Sequence, residues 1–136
     1  MEITVMLPCL NESETLSICI KKAKKQIKQL KIKGEVLIAD NGSTDGSLKI
    51  AKKLGARIIH VKNKGYGNAL RAGIKNARGK YILIADSDDS YNLNDLPKVY
   101  KKIREGYDIV QGGRLPGGGG KIHTGAMPIS HKLIGN

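Results

Sequence analysis

The sequence predicts an α/β fold, a Rossmann-like three-layer sandwich around a mostly parallel sheet. Short runs of Ile, Leu, Val and Ala alternate with longer segments of helical periodicity up to about residue 111. Those short runs are apolar at consecutive positions, as strands covered on both faces require. Polar clusters rich in Asp, Asn and Gly follow several of them, where an open parallel sheet gathers its ligand.

Residues 3–7 form the first strand, ended by Pro8. Asn11 then starts a helix, with Glu14 as its capping-box partner three residues on. Leu16, Cys19, Ile20, Ala23, Ile27 and Leu30 recur through it at helical spacing. Gly34 breaks that helix, and residues 36–39 are a second apolar strand. Residues 41–46 read as a turn, and Leu48, Ile50, Ala51 and Leu54 mark a second helix. Residues 57–61 give a third strand, followed by the polar loop Lys62-Asn63-Lys64-Gly65. A third helix covers roughly residues 67–77, and residues 81–85 make a fourth strand. After Asp86-Ser87-Asp88-Asp89, a fourth helix carries Leu96, Val99, Tyr100 and Ile103, and residues 108–111 are a short fifth strand. The pattern then changes. Gly112-Gly113, Pro116 and the glycines up to Gly120 predict a mobile loop, and residues 129–134 the start of a helix.

At 136 residues the chain is long enough for one buried core. With five Tyr and no Phe or Trp, that core must rest on aliphatic side chains. No apolar run approaches the roughly 18 residues of a membrane span. Met1-Glu2-Ile3-Thr4 does not resemble a secretory signal, so the expected location is cytoplasmic. Cys9 and Cys19 lack Cys-x-x-Cys spacing and a nearby His pair, so two reduced thiols are expected. The net charge of +12 admits two readings. Lysine-rich stretches such as Lys21-Lys22-Ala23-Lys24-Lys25 are either a solvated helix face or an attraction to polyphosphates or an anionic membrane. No Arg-rich cluster interleaved with aromatics is present, so no nucleic-acid partner is expected.

Three polar clusters follow strand ends: Pro8-Cys9-Leu10-Asn11-Glu12, Asp40-Asn41-Gly42 and Asp86-Ser87-Asp88-Asp89. Parallel geometry brings them to one edge. Carboxylates gathered there repel one another, which calls for a cation. In an extended turn residues i and i+2 project to the same side, so Asp86 and Asp88 present two oxygen ligands together. Two carboxylates plus a substrate phosphate suit Mg²⁺ or Mn²⁺, which would neutralise a departing diphosphate. Taken singly, each cluster has a plainer reading. Residues 86–89 could cap the next helix, Asp40-Asn41-Gly42 could be a bare turn, and Gly65-Tyr66-Gly67 is only an isolated Gly-x-Gly. Their order on alternating strands favours a ligand site. A phosphoryl-accepting receiver-like domain would also cluster aspartates at strand ends. It would need a Lys at a later strand end, where this sequence has Gln111-Gly112-Gly113-Arg114.

Four motifs, V-M-L-P-C-L-N-E, L-I-A-D-N-G-S-T-D-G-S, G-Y-G-N-A-L-R-A-G and I-A-D-S-D-D-S-Y, occur in this order. Together they resemble the inverting GT-A glycosyltransferases that include dolichyl-phosphate mannose and glucose synthases. The likeness runs from residue 2 to about residue 114, and G-A-M-P-I-S-H-K-L-I-G-N near the end is similar to the segment that follows in the polyprenyl-phosphate branch. The resemblance implies a nucleotide-sugar-binding GT-A domain over 1–114, then a Gly-rich loop and truncated start of an acceptor region over 115–136. It implies that Pro8, Asn11 and Glu12 line the nucleoside pocket, that Asp40 bonds the base, and that Gly42 lets the backbone approach it. Lys64, Gly67 and Asn68 would lie along the nucleotide, Asp86 and Asp88 would form the DXD metal motif, and Arg114 would meet phosphate.

The implied reaction moves a sugar from a UDP- or GDP-linked donor to an acceptor, with inversion and with Asp88 and Arg114 as catalytic residues. A hydroxyl acceptor would need a general base, and His60, His123 and His131 all lie outside the motifs. A polyprenyl phosphate at the inner membrane face is already ionised, its second pKa being about 6, and needs none. The alternative expectation is a truncated nucleotide-sugar-binding module without catalysis of its own, or one whose acceptor region a partner chain supplies.

Overall fold

A computed structural model describes residues 1–112, 122–125 and 132–135. Its elements are β1 (Ile3–Cys9), α1 (Leu16–Gln29), β2 (Gly34–Asp40), α2 (Ser47–Lys53), β3 (Arg57–His60), α3 (Tyr66–Asn76), β4 (Tyr81–Ile84), α4 (Leu96–Ile103), β5 (Ile109–Gly112), β6 (Ile122–Gly125) and β7 (Lys132–Gly135). A single 3-10 turn, Leu93–Asp95, leads into α4. The strands form one seven-stranded sheet in the order β3-β2-β1-β4-β7-β5-β6. Neighbours are parallel except β6, which runs antiparallel to β5. This is the mostly parallel α/β sandwich that the alternation of elements predicts.

β1 is buried at all seven positions because β2 and β4 flank it and helices cover both faces. Ile3, Val5, Leu7 and Cys9 face α1 and α4, packing with Leu16, Ile20, Leu96 and Ile103. Met6 faces the other way, toward Leu37, Ile82 and Ala69 of α3. The alternation follows from the two-residue period of a strand. Each fully buried aliphatic side chain contributes about 1.5–3 kcal/mol. On the α3 side, the helix approaches the sheet so closely that a Cβ on Gly73 would lie 2.6 Å from the Met6 sulfur. β1 also continues through Pro8 to Cys9 instead of stopping before the proline. The β4 ladder ends at Met6, so Pro8 sits where β1 is paired with β2.

Two further sequence expectations are corrected. α1 begins at Leu16, not Asn11, and no capping box forms. Asn11 has φ 53, outside the helical region, and its side chain accepts the N–H of Thr44 at 2.8 Å. Thr15 occupies the N-cap position, yet its hydroxyl donates to the Ser87 carbonyl at 2.6 Å. Long-range bonds to neighbouring loops replace the local cap. The second correction concerns residues 129–134, expected to start a helix. Lys132–Gly135 is β7, seated between β4 and β5. The predicted mobile loop falls largely on residues 113–121, outside the described residues.

Cys9 and Cys19 are both free, as expected, and both are buried. At the N-terminal edge of the sheet, Glu35 accepts bonds from Arg57 Nε (2.8 Å), the Arg78 N–H (3.0 Å) and the Thr4 hydroxyl (2.8 Å). Burial alone would raise the Glu35 pKa, but these donors outweigh it and hold the carboxyl below its usual range. No helix among the described residues is long and apolar enough to cross a membrane.

Candidate functional site

The opposite, C-terminal edge of β1, β2, β3 and β4 opens into a cleft of about 340 Å³. Its lining comes from four separate connections: Pro8, Cys9, Leu10 and Glu12 after β1, Asn41 after β2, Lys64 and Gly65 before α3 with Tyr66 and Ala69 in it, and Asp86, Ser87 and Asp88 after β4. Parallel strands in the order β3-β2-β1-β4 bring these loops together although up to 80 residues separate them in sequence (Pro8 to Asp88).

The loops after β1 and β2 are bonded into one wall. The Asn11 N–H donates to Ser43 Oγ at 2.9 Å, the Glu12 N–H to Ser47 Oγ at 3.1 Å and the Ser13 N–H to Asp45 Oδ2 at 3.0 Å. Asp45 also accepts the Ser47 hydroxyl, the first of the causes that bring its pKa down to about 2. Asp40 is 2 % exposed, and its carboxylate accepts the N–H groups of Gly42 at 3.0 Å and Ser43 at 3.2 Å. Gly42 takes φ 100 to close that turn. Asp40, Asn11 and Gly42 therefore shape the wall from behind and do not line the cleft.

Asn41, 6 % exposed, is the organising residue that sequence reading treated only as part of a turn. Its Oδ1 accepts the Gly65 N–H at 2.9 Å, and its Nδ2 donates to the carbonyls of Asn63 (3.0 Å) and Val61 (3.3 Å). One amide thus fixes the whole loop that carries Lys64. The available signal was a side-chain amide at the end of an otherwise apolar strand. Gly65 (φ 125) caps α3 without any side-chain bond to the first turn, so that turn opens toward the cleft. A helix start with Lys64 beside it is an electropositive rim suited to phosphate. Gly67 and Asn68 lie in that first turn and are exposed rather than lining the cleft; Asn68 Nδ2 donates to the Lys64 carbonyl at 3.0 Å.

The facing wall is acidic. Ser87 turns inward, its hydroxyl donating to the Pro8 carbonyl at 2.7 Å. Its neighbours Asp86 and Asp88 both reach the cleft. Asp89, at φ 60, turns away and pairs with Lys22 at 3.1 Å. Asp88 Oδ1 accepts the Ser90 N–H at 2.9 Å. Across the cleft, the Tyr66 hydroxyl donates to Asp86 Oδ1 at 3.0 Å. Burial, then that bond, pushes the Tyr66 phenol up to about 12, so it remains a protonated donor at neutral pH. Burial, followed by the charges of Asp88, Asp45, Asp86 and Glu14, raises the Glu12 carboxyl. Tyr66, Leu10 and Ser87 carried no functional signal of their own in the sequence. Arg114 lies outside the described residues.

Among the described residues, no group of three or more His, Cys, Asp or Glu side chains is placed to hold a metal ion unaided. Asp86 and Asp88 fit a divalent ion in the other way open to Mg²⁺ or Mn²⁺, with one or two carboxylates and the remaining sites left to water and substrate phosphate. After burial, the charges of Asp88 and Asp86 are among the causes that raise Glu12, and such an ion would offset them.

The sequence matches the family model described as Glycosyl transferase family 2 over residues 4–131. It is 38 % identical over 135 residues to the low-salt glycan biosynthesis hexosyltransferase Agl6 of Haloferax volcanii, covering 98 % of this chain and 32 % of that protein. A dolichyl-phosphate hexose transferase from the same organism is 38 % identical over 86 residues, covering 63 % of this chain and 37 % of the relative. Among solved structures, glucosyl-3-phosphoglycerate synthase of Mycobacterium tuberculosis, in complex with Mn²⁺, UDP and glucosyl-3-phosphoglycerate, aligns with TM-score 0.71 and 25 % identity. That alignment covers 86 % of this chain and 45 % of the synthase. The chain thus spans about a third of the two archaeal relatives and under half of that synthase.

Proposed function

This chain belongs to glycosyl transferase family 2, and from that premise we propose that its cleft binds a nucleoside-diphosphate sugar for transfer of the sugar, with inversion, to a polyprenyl phosphate. The observation that carries the reading is the juxtaposition of Asp86 and Asp88 with Lys64 and the start of α3 in one cleft. One wall suits a divalent cation and the other a diphosphate. UDP and Mn²⁺ in the synthase complex support that pair of ligands, and the dolichyl-phosphate relative supports the acceptor.

In this reading the diphosphate lies between Lys64 and the carboxylate pair. Lys64 and the first-turn N–H groups of α3 orient it, and Asn41 holds that loop at the required distance. Asp86 and Asp88 hold Mg²⁺ or Mn²⁺, which when bound supplies charge neutralisation for the leaving diphosphate. Pro8, Leu10 and Glu12 border the nucleoside, Asp40 and Gly42 support its base from beneath, and Arg114 meets phosphate. Tyr66 gives up its bond to Asp86 as the donor enters. An ionised lipid phosphate serves as nucleophile without a protein base. In this reading residues 1–114 are the donor-binding part, and residues 115–136 are a Gly-rich loop and the start of the acceptor region. Such an acceptor would place the chain at the inner face of the membrane.

Calorimetric titration with UDP and GDP, with and without Mn²⁺, tests the donor site. Metal-dependent binding of one nucleotide, weakened about 100-fold or more by Asp88→Asn, is the expected result. A folded chain that binds neither nucleotide would overturn the reading. Binding without transfer to added polyprenyl phosphate would instead favour a donor-binding module that needs further residues or a partner chain for catalysis.

A further inference from the structure

We propose that α1 and α2 form a membrane-docking face that binds anionic phospholipid headgroups. The 14 residues of α1 include five lysines and the 7 residues of α2 include three, and neither helix contains an Asp or Glu. Lys21, Lys24, Lys25 and Lys28 recur at three- and four-residue spacing, so they share one side of α1, and all four are exposed. Leu16, Cys19, Ile20, Ala23 and Ile27 occupy the buried side, which fixes the lysine stripe toward solvent. α2 packs beside α1 and adds exposed Lys49, Lys52 and Lys53. Lys24 and Lys28 also line a groove of about 350 Å³ on this flank, at whose other side Arg57 is paired with Glu35 at 2.8 Å and adds no free charge.

The composition of the face selects its partner. α1 and α2 carry no Arg and no aromatic residue, so neither planar guanidinium forks nor stacking platforms are available for nucleic acid. Lysines on flexible stems suit a diffuse negative surface, and a bilayer with anionic lipids is one. α1 starts at the cleft, where Thr15 bonds the acidic loop, and exposed Leu10 and Ile18 (54 % and 42 %) stand at that end. A bilayer against α1 therefore meets the rim of the cleft. The inference takes its purpose from the polyprenyl-phosphate reading, yet headgroup binding needs no nucleotide and can fail or hold independently of it.

The test is co-sedimentation with phosphatidylcholine vesicles, with and without phosphatidylglycerol, at low and high salt. Four variant positions on α1 (Lys21→Glu, Lys24→Glu, Lys25→Glu, Lys28→Glu) are compared with an equal charge change on and after α3 (Arg71→Glu, Lys75→Glu, Arg78→Glu, Lys80→Glu). A glutamine version of the α1 set, with circular dichroism, guards against misfolding. The expected result is salt-sensitive binding that requires phosphatidylglycerol, falls at least about tenfold in both α1 variants, and survives in the α3 variant. Equal losses in the two glutamate variants would overturn the proposal, because net charge alone would then account for binding. So would binding that is indifferent to phosphatidylglycerol, or tighter binding to duplex RNA than to the anionic vesicles at matched phosphate.

Discussion

On the wall built by the loops after β1 and β2, Asp40 and Asp45 direct their oxygens at backbone N–H groups and hydroxyls of the wall itself. On the wall after β4, Asp86 and Asp88 accept one bond from a phenol and one from a turn N–H, and both still border the cleft. The residue type is the same and the consequence differs. A carboxylate bonded by its own wall and set back from the cleft serves the scaffold, while one that borders open volume is where the proposed ligand would be met. Motif spacing does not distinguish the two; their position relative to the cleft does.

Substitutions can break this contrast or sharpen it. Asn41→Ala removes three hydrogen bonds from a buried site and should lower the stability measured by urea unfolding by about 3 kcal/mol. Nucleotide affinity should fall with it, because the Lys64 loop loses its tether. Asp40→Ala leaves the Gly42 and Ser43 N–H groups without their acceptor and should lower stability by about 2 kcal/mol in the same measurement. If Asp40→Ala leaves stability unchanged while abolishing nucleotide binding, Asp40 belongs with the ligand-facing carboxylates.

The Asp45 pKa is depressed in the folded state to about 2, against an ordinary 3.8. Its contribution is therefore present above about pH 4 and is lost as pH falls toward 2. Thermal melts over that range should show a shallower acid decline for Asp45→Asn than for the unmodified chain. The smallest structural effect belongs to Asp88→Asn, which should change stability by less than about 0.5 kcal/mol, since Asp88 is exposed. That variant, nearly silent in unfolding, should show a large loss of metal-dependent nucleotide binding, which would separate the two walls most cleanly.

The first five strands and four helices were legible because each carries its own apolar period, as in Leu16, Cys19, Ile20, Ala23 and Ile27 of α1. The gathering of polar clusters at one edge was also legible, since parallel strands permit no other arrangement of their ends. The start of α1 was not. Asn11 and Thr15 are good local caps, and both were drawn into bonds with residues 33 and 72 positions away. At the site, Asp86 and Asp88, two residues apart, both border the cleft, and Ser87 between them donates to the Pro8 carbonyl. Asn41 and Tyr66 act through partners 20 to 24 residues distant, which no local pattern encodes. β7 was misread for a related reason. Four residues of mixed polarity have no period of their own, and their conformation is imposed by strands on either side.

The position of β7 has a consequence for synthesis. Its partners β4 and β5 precede it by about 50 and 23 residues, and no ladder joins them to each other. While the chain emerges from the ribosome, β1 to β4 can pair as soon as Tyr81–Ile84 is free. The β5–β6 hairpin must wait, and the outer edge of β4 stays open until Lys132–Gly135 arrives to join the halves. An open strand edge invites pairing with another chain. The nascent protein is therefore most exposed to aggregation in this interval, and a stop between residues 125 and 132 would make that state permanent.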